Sequence, residues 1–450
     1  MKYAPKECII FVNSIHLLQK PHYVETLKHV HRVFERFGYE VTHNIDADWD
    51  VLWAHDSPFV TAKALTEIQP HRRVNKIPGN GHLVIKAEFV KSGAINIPPA
   101  FRLPEDKDKF LKYVEENPTA KFVEKNKYHR EIYLKAVKDI DFDSDQKFVQ
   151  KFIEKPLLID GRKFEFGVYL VITSIHPLRA YRIKEDMIIR YTKIPYYPFN
   201  ESNVSQYVIK EDSLQYWESP TMQKFLNHSY SIQESFDATL KSVGADPDRV
   251  WEQVDKSIVS VLLAQESNIF SSAKYYQNIR NFFELYRFDY IMDEDYKLYA
   301  LEANMSPNLS SAKNPRNAII YEQVLNNLFK LVGLQSYVDL PHENSNITQS
   351  MVAHKRNIMV FPDVCLYCND CSEFECKLCA TCLNEDLALD LQMAYREYLS
   401  KSRASRVFPP RMTQEEARRG IPAELKGTSA TSKLIYGWFQ GKCLLDVSWC

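Results

Sequence analysis

One segment of the chain, FELYRFDYIMDEDYKLYALEANMSPNL at 283–309, constrains the fold more than any other. Its two apolar stretches flank an acidic run at 293–295, a pattern that predicts a β-hairpin. Glu302 and Asn304 lie two residues apart on the second strand and therefore share a face, and Asp289 lies on the first strand. Carboxylate and amide oxygens are ligands that Mg²⁺ takes when it also holds nucleotide phosphates. The segment therefore predicts a Mg²⁺ site formed by these three side chains.

The register of this hairpin decides whether the three side chains can meet. A symmetric hairpin centred on Glu294 places Asp289 opposite Tyr299 rather than Glu302. The ligands then come together only if the ladder carries a bulge or if two metal ions share them. The competing interpretation is the exposed face of an edge strand, which the scarcity of Asp and Asn inside apolar strands argues against.

Composition excludes several classes of function. The net charge of the 450 residues is −1, which predicts binding neither to nucleic acid nor to a membrane surface. No run of about 18 apolar residues is present, so we expect no membrane span in this chain. The P-loop pattern GxxxxGK[ST] is absent, and glycines number only 12, so any bound phosphates need another cradle.

Lysines embedded in apolar segments offer such a cradle. They are Lys86, Lys125, Lys151 and Lys163. A lysine on a strand usually extends its ammonium group to solvent. Combined with the acidic residues of the hairpin, however, strand lysines and Mg²⁺ correspond to the ATP-grasp layout.

The pattern of elements predicts an α/β (α+β) fold with four regions. We expect an N-terminal α/β lobe over 1–80, an ATP-grasp-like core over 81–335, a polar linker over 336–363, and a Cys-rich C-terminal module with a helical tail over 364–450. The stretch 191–220 is rich in Tyr, Pro, Asn and Ser and is interpreted as an active-site loop.

Six of the nine cysteines cluster with the spacing C-x2-C-x2-C-x4-C-x2-C-x2-C. They are Cys365, Cys368, Cys371, Cys376, Cys379 and Cys382. In a reducing cytosol such thiolates bind metal, most often Zn²⁺, whereas in an oxidising lumen they form disulfides; free thiols are the third alternative. The apolar N-terminal stretch lacks a small-residue cleavage site and is interpreted as a core strand, which favours a cytoplasmic location over the secretory lumen.

Several segments together resemble the tubulin tyrosine ligase-like family. They are FVQKFIEKPLLIDGRKFEFGVYLVITS at 148–174, the 283–309 hairpin, WDVLWAHDSPF at 49–59, HRRVNKIPGNGHLVIKAEF at 71–89, IPPAFRLPED at 97–106, and KFVEKNKYHREI at 121–132. The last resembles the family's KPxxxxRGxGI phosphate segment. The similarity runs in order through about residues 45–330 and implies an ATP-grasp-like ligase.

The resemblance implies an ATP-dependent amino acid ligase, and among these a tubulin polyglutamylase. In such enzymes ATP phosphorylates the γ-carboxylate of a glutamate in a tubulin tail, and the amine of free glutamate then attacks this acyl phosphate, forming an amide bond and releasing phosphate. It implies catalytic roles for Arg190 and Glu302 and Mg²⁺ ligation by Asp289, Glu302 and Asn304. The ATP-binding positions that it implies are Lys125, Arg130, Gln150, Lys151, Phe152, Ile153, Lys163 and Glu165.

Two positions depart from the family pattern. Glu131 stands where the family has glycine, which adds negative charge and removes backbone freedom beside a phosphate. In the family's KFDxR motif the Asp and Arg positions are Glu165 and Gly167 here. The missing Arg removes a bidentate contact that no nearby Lys replaces in geometry.

Three hypotheses follow from the pattern and its departures. The first is an active ligase that uses microtubules and glutamate. The second is a degenerate ligase that binds nucleotide or tubulin without turnover, and the third is a scaffold that acts through its Cys-rich module. A modestly basic run near the C-terminus is predicted to contact the acidic tubulin tail. It consists of Arg403, Arg406, Arg411, Arg418 and Arg419.

Overall fold

The structure is a computed structural model that describes residues 6–11, 22–42, 48–60, 63–126, 132–142, 147–210, 213–228, 230–335 and 354–450. Its strands in chain order are β1 Lys6–Phe11, β2 Tyr39–Thr42, β3 Val51–Ala54, β4 Arg73–Val74, β5 Ala100–Arg102, β6 Phe122–Asn126, β7 Ile132–Lys135, β8 Lys147–Lys151, β9 Leu158–Ile159, β10 Arg162–Ile175, β11 Leu178–Tyr191, β12 Leu214–Gln215, β13 Glu284–Met292, β14 Leu298–Met305 and β15 Ala404–Phe408.

The helices alternate with the strands along the chain. They are His22–Arg36, Gly81–Val84, Lys86–Lys91, Lys107–Glu116, Pro220–Leu226, Ile232–Ser242, Pro247–Ala273, Ala318–Leu331, Lys355–Ile358, Pro362–Cys365, Glu385–Ser400, Gln414–Arg418 and Ala430–Leu445. The three sheets and these helices confirm the predicted mixed α/β class.

The N-terminal sheet is parallel, with strand order β2-β1-β3-β4. The helix His22–Arg36 buries Val30 and Phe34 on one face, as its periodic apolar residues predict. Gly38 ends the segment at φ +76°, a conformation that costs glycine little. The lobe therefore has the α/β character expected from its sequence.

A second, antiparallel sheet has strand order β5-β8-β6-β7. The alternation of residues in 121–137 predicts two strands, which are β6 and β7, and the connection near 128–130 lies outside the described residues. Lys86 was expected on a strand, but it begins the helix Lys86–Lys91, so that part of the prediction is wrong.

The largest sheet is antiparallel and follows the order β12-β11-β10-β13-β14, with β15 on β11 and β9 on β10. Its longest pair, β10 and β11, joins two strands of 14 residues each. Strand β11 was not predicted, because its six charged residues, three of them buried, break the apolar pattern. The long helix Pro247–Ala273 covers one face, where Ser257 meets the hydroxyl of Tyr290 at 2.9 Å.

The β13–β14 hairpin differs from the symmetric register. Met292 pairs with Leu298, so the turn covers 293–297 rather than centring on Glu294. The Asp293 carboxylate accepts the N–H of Lys297 at 2.9 Å, which closes this wider turn. A further register shift follows in β14, where Leu301 has no partner residue across the ladder.

The C-terminal region is joined to the large sheet. Strand β15 extends the sheet by pairing with β11, and the helix Glu385–Ser400 places Glu397 against the fully buried Arg179 of β11. Residues 336–353 of the predicted linker lie outside the described residues. At its far end Ile358 and Val360 are buried, so that part of the connection is packed.

Candidate active site

A line of residues crosses four strands of the large sheet. Gly167 of β10 pairs with Ile188 of β11 on one side and with Asp289 of β13 on the other. Asp289 in turn pairs with Glu302 of β14, because the register shift between Asp289 and Tyr290 brings Glu302 opposite Asp289. The bulge that the metal hypothesis requires is therefore present in the ladder.

The side chains of Asp289, Glu302 and Asn304 form one cluster. The Asn304 amide donates to Asp289 Oδ2 at 3.1 Å and to Glu302 Oε1 at 3.2 Å. Within the described part of the chain, no group of three His, Cys, Asp or Glu side chains is placed to hold a metal ion. The amide of Asn304 is therefore needed to complete three oxygen donors, and an amide flip turns its oxygen toward the carboxylates. In donor type the set fits Mg²⁺.

Cations surround these carboxylates. Arg287 binds Asp289 through both carboxylate oxygens, with Nε to Oδ1 at 2.6 Å and Nη2 to Oδ2 at 2.8 Å. Arg190 Nη2 lies 3.6 Å from the same Oδ2, and Lys86 Nζ lies 3.1 Å from Glu302 Oε2. Burial acts to lower the pKa of Arg287, but the attraction of Asp289 outweighs it and raises the pKa above its usual value. The guanidinium therefore stays charged.

Lys163 and Glu165 lie on the same face of β10, and Glu165 pairs with Arg190 across the ladder. Lys163 is buried, and its ammonium donates to Glu165 Oε1 at 3.1 Å and to the carbonyl of Tyr207 at 2.5 Å. Tyr207 belongs to the stretch that was predicted to be an active-site loop. That loop therefore lies beside the predicted ATP-binding lysine.

The predicted adenine hinge follows β8. Gln150 is buried in that strand. The ring of Phe152 packs among the aromatic rings of the 191–220 loop, with its centre 6.0 Å from that of Phe199 and 5.6 Å from that of Tyr207. The backbone N–H of Lys151 donates to Pro99 O and that of Phe152 to Lys121 O, both at 2.8 Å. Any backbone contact to adenine must therefore come from carbonyl groups here or from Ile153.

Two of the predicted phosphate residues cannot be placed. Arg130 and its neighbour Glu131 lie outside the described residues, and Lys125 is described only through its backbone in β6. The part of the site that the structure does describe lies on β10, β11, β13 and β14, together with Lys86 and the hinge at the end of β8.

Sequence reasoning missed Arg287 and the buried pair formed by Lys76 and Glu284. Lys76 Nζ lies 3.2 Å from Glu284 Oε1, and the Glu284 carboxylate also accepts from Asn80 and from the backbone N–H of Ile77. Each charge is thus satisfied by hydrogen bonds, which buried ions require. Arg287 is two residues before Asp289 on one strand, and this spacing is the signal that could have revealed it.

All six clustered cysteines are paired in the structure. The disulfides are Cys365–Cys379, Cys368–Cys376 and Cys371–Cys382, and a fourth joins Cys443 to Cys450. The pairing leaves none of these six thiolates for Zn²⁺. The structure therefore supports the disulfide alternative over the zinc alternative.

The basic run proposed for tubulin contact does not form one exposed face. Arg406 is buried, with its guanidinium 3.8 Å from the centre of the Phe439 ring. Arg403 is paired with Glu185, and Arg419 with Glu415. Burial removes Arg406 from the predicted basic surface. Arg403, Arg411, Arg418 and Arg419 are exposed, and their contact with tubulin stays a prediction.

No helix in the described segments is both long enough and apolar enough to cross a bilayer.

Comparison with known proteins agrees with the geometry. The model of the tubulin-tyrosine ligase family matches residues 65–346. A probable tubulin polyglutamylase, ttll-15 of Caenorhabditis elegans, is 34% identical over 440 residues, covering 94% of this chain and 84% of that protein. The human tubulin monoglutamylase TTLL4 is 24% identical over 330 residues, 68% of this chain and 27% of that protein. A probable beta-tubulin polyglutamylase of Tetrahymena thermophila is 23% identical over 361 residues, 73% of this chain and 30% of that protein. This chain therefore belongs to the tubulin-tyrosine ligase family.

Proposed function

We propose that this chain is an ATP-dependent ligase that adds glutamate to glutamate side chains of tubulin tails. The observation that carries the proposal is the charged cluster across β11, β10, β13 and β14, where carboxylate, amide and cationic groups occupy one face of a rigid sheet. Ligation through an acyl phosphate depends on positioning and on neutralising phosphate charge rather than on a protein nucleophile. The printed names of the relatives support glutamate and tubulin as substrates.

Each residue has a proposed role in that chemistry. Lys163, with Lys125 and Arg130, would bind ATP phosphates, and the hinge at 150–153 would contact adenine. Glu302 and Asn304, with Asp289, would hold Mg²⁺, which would neutralise phosphate charge. Arg190 would orient the incoming glutamate or the reacting phosphoryl group, since it is charged, 28% exposed and beside Asp289.

The proposed division of the chain follows from these roles. The region 81–335 would carry the nucleotide site, and the N-terminal lobe over 1–80 would contact it through pairs such as Lys76 and Glu284. The region 364–450 is the disulfide-bonded module, connected through 336–363.

The test is incorporation of labelled glutamate into purified microtubules with ATP and Mg²⁺. Glu302→Gln is expected to lower the rate by about 100-fold or more, because one carboxylate ligand becomes neutral. Glu294→Gln, at the exposed turn of the same hairpin, is the matched control and should keep the wild-type rate. Wild-type protein that binds ATP but incorporates no glutamate would support the degenerate-ligase hypothesis instead.

The compartment is a second question that the same assay addresses. The relatives' substrates favour a cytoplasmic, microtubule-associated protein, whereas four disulfides are typical of an oxidising lumen. We favour microtubules as the acceptor and give a luminal protein acceptor as the second candidate. Activity and thermal midpoint that both fall on reduction with dithiothreitol would favour the luminal candidate. Unchanged values would favour the cytoplasmic one.

A further inference from the structure

We propose that the guanidinium of Arg287 binds the phosphates of ATP in this site. Its side chain occupies the space that Gly167 leaves open on the neighbouring strand. The proposal rests on the proposed function. It assigns a nucleotide-binding role to a residue that the sequence comparison with the KFDxR motif did not indicate, since that motif places its arginine at position 167.

The first observation is the space above Gly167. A Cβ built at this position would lie 2.7 Å from Arg287 Cδ, 2.7 Å from Asp289 Oδ1 and 2.9 Å from Arg287 Nε. Real Cβ atoms do not approach other heavy atoms so closely, and the aliphatic stem and guanidinium of Arg287 fill the place of a side chain there. Gly167 and Arg287 are therefore complementary: the presence of one side chain excludes the other.

The second observation is the direction of the guanidinium. Gly167 pairs with Asp289 in the ladder, and Arg287 reaches along its own strand to the same carboxylate. Nε and Nη2 bind the two carboxylate oxygens, which leaves Nη1 as a donor for a further anion. An arginine at position 167 or at position 287 would thus place its guanidinium at the same position beside Asp289.

The third observation is the balance of charge. Three cations, Arg190, Arg287 and Lys86, surround two carboxylates, Asp289 and Glu302. The cluster keeps a net positive charge, which suits a ligand with several negative charges, and planar guanidinium groups suit phosphate oxygens. The chemical class of the ligand is therefore a polyphosphate, bound next to the amide of Asn304.

A purely structural role is the competing explanation, since Arg287 also neutralises the buried Asp289. The two roles differ in what they change. A structural counter-ion affects the free energy of unfolding, whereas a phosphate-binding guanidinium affects the affinity for ATP at temperatures where the protein is folded.

The experiment compares Arg287→Gly, Gly167→Arg and the double variant with the wild type by equilibrium binding of ATP in the presence of Mg²⁺. Arg287→Gly is expected to weaken ATP binding by about 10-fold or more, because a charge-assisted contact to phosphate is lost. Gly167→Arg should weaken it similarly, because two side chains compete for one space. The double variant, which moves the guanidinium to β10, should recover affinity to within about 3-fold of wild type, a coupling that a double-mutant cycle detects.

The matched control is Arg182→Gly. Arg182 also pairs with an aspartate, Asp255 of the long helix, with Nε to Oδ1 at 2.7 Å, but it lies away from the cluster. It should lower the thermal midpoint without changing ATP affinity. The proposal is overturned if Arg287→Gly behaves like this control, if the double variant binds no better than the weaker single variant, or if the wild type binds no ATP. Tight ATP binding without glutamate incorporation would refute the proposed reaction but leave the role of Arg287 to be decided by the binding data.

Discussion

Single residues set the charge balance of the site, and their effect depends on what lies opposite them in the ladder. Gly167 by itself reads as the loss of an arginine. In the structure Gly167 pairs with Asp289 and lies against Arg287, so its missing side chain leaves the space that the Arg287 side chain fills. Glu165 keeps a carboxylate at its motif position and binds Lys163. Residue identity alone therefore misjudges a site whose groups are supplied by adjacent strands.

Asp186 is a buried acid outside the proposed site, and it makes stability depend on pH. Its Oδ2 atom is buried without a hydrogen-bond partner, and burial raises the pKa of this carboxyl to about 7 from an ordinary value of 3.8. The folded chain thus retains a proton that the unfolded chain loses between about pH 4 and pH 7. Stability should therefore be highest at the acid end of this window and should fall as pH rises.

Asp186→Asn is expected to remove the part of the pH dependence of stability that arises from Asp186. The difference in free energy of unfolding between variant and wild type should shift in favour of the variant by up to about 4 kcal/mol from pH 4 to pH 7.5. Urea denaturation at several pH values measures it. Parallel curves for the two proteins would show that Asp186 has the same pKa in the folded and the unfolded chain and would contradict the prediction.

Elements were predicted well where one face is apolar and the other polar. The β13–β14 hairpin was predicted from its apolar runs, and β13 is buried at every residue except Arg287. The helices ending at Arg36 and Leu331 follow the two-sided rule. Strand β11 does not, because buried Arg179, Arg182 and Asp186 interrupt its apolar run and are satisfied by, or packed against, distant elements. Pattern reasoning fails for such a strand, since its polar residues point inward.

The C-terminal helix Ala430–Leu445 depends on close approach at two glycines. A Cβ at Gly441 would lie 2.5 Å from Val360 Cβ, and one at Gly437 2.5 Å from Phe374 Cε1. Alanine normally favours a helix over glycine by about 1 kcal/mol. Here Gly441→Ala should instead destabilise the protein by about 1–3 kcal/mol through overpacking.

The control for this prediction is Gly427→Ala, because no heavy atom lies within 4 Å of a Cβ at that exposed position. It should leave the urea midpoint nearly unchanged. A stabilised Gly441→Ala protein would mean that Val360 moves away at little cost and that the helix contact is loose.

In the whole molecule, the C-terminal region is part of the main structure rather than an appendage. Strand β15 extends the large sheet, and Arg179 donates from Nε and Nη2 to Glu397 at 2.8 and 2.9 Å. Burial acts to lower the pKa of Arg179, but Glu397 outweighs it and raises the pKa. The pair connects the helix Glu385–Ser400 with the sheet that carries the proposed site.

Glu397→Gln should therefore lower the free energy of unfolding by about 3–5 kcal/mol, because it leaves the buried Arg179 charge without a counter-ion. Urea unfolding followed by tryptophan fluorescence measures this loss. Glu415→Gln removes the partner of the exposed Arg419 and should change stability by less than about 1 kcal/mol. Equal effects of the two substitutions would contradict a structural role for the buried pair.

The sequence by itself determined the mixed α/β class, the family, and Asp289, Glu302 and Asn304 as candidate Mg²⁺ ligands, since local periodicity and residue spacing encode these features. Only the tertiary structure decided the register that aligns Asp289 with Glu302, the pairing of the six cysteines, and the entry of Arg287 above Gly167. These depend on a bulge, on distances between sulfur atoms and on the space between two strands. Such quantities arise when distant residues meet, and no local pattern in the chain records them.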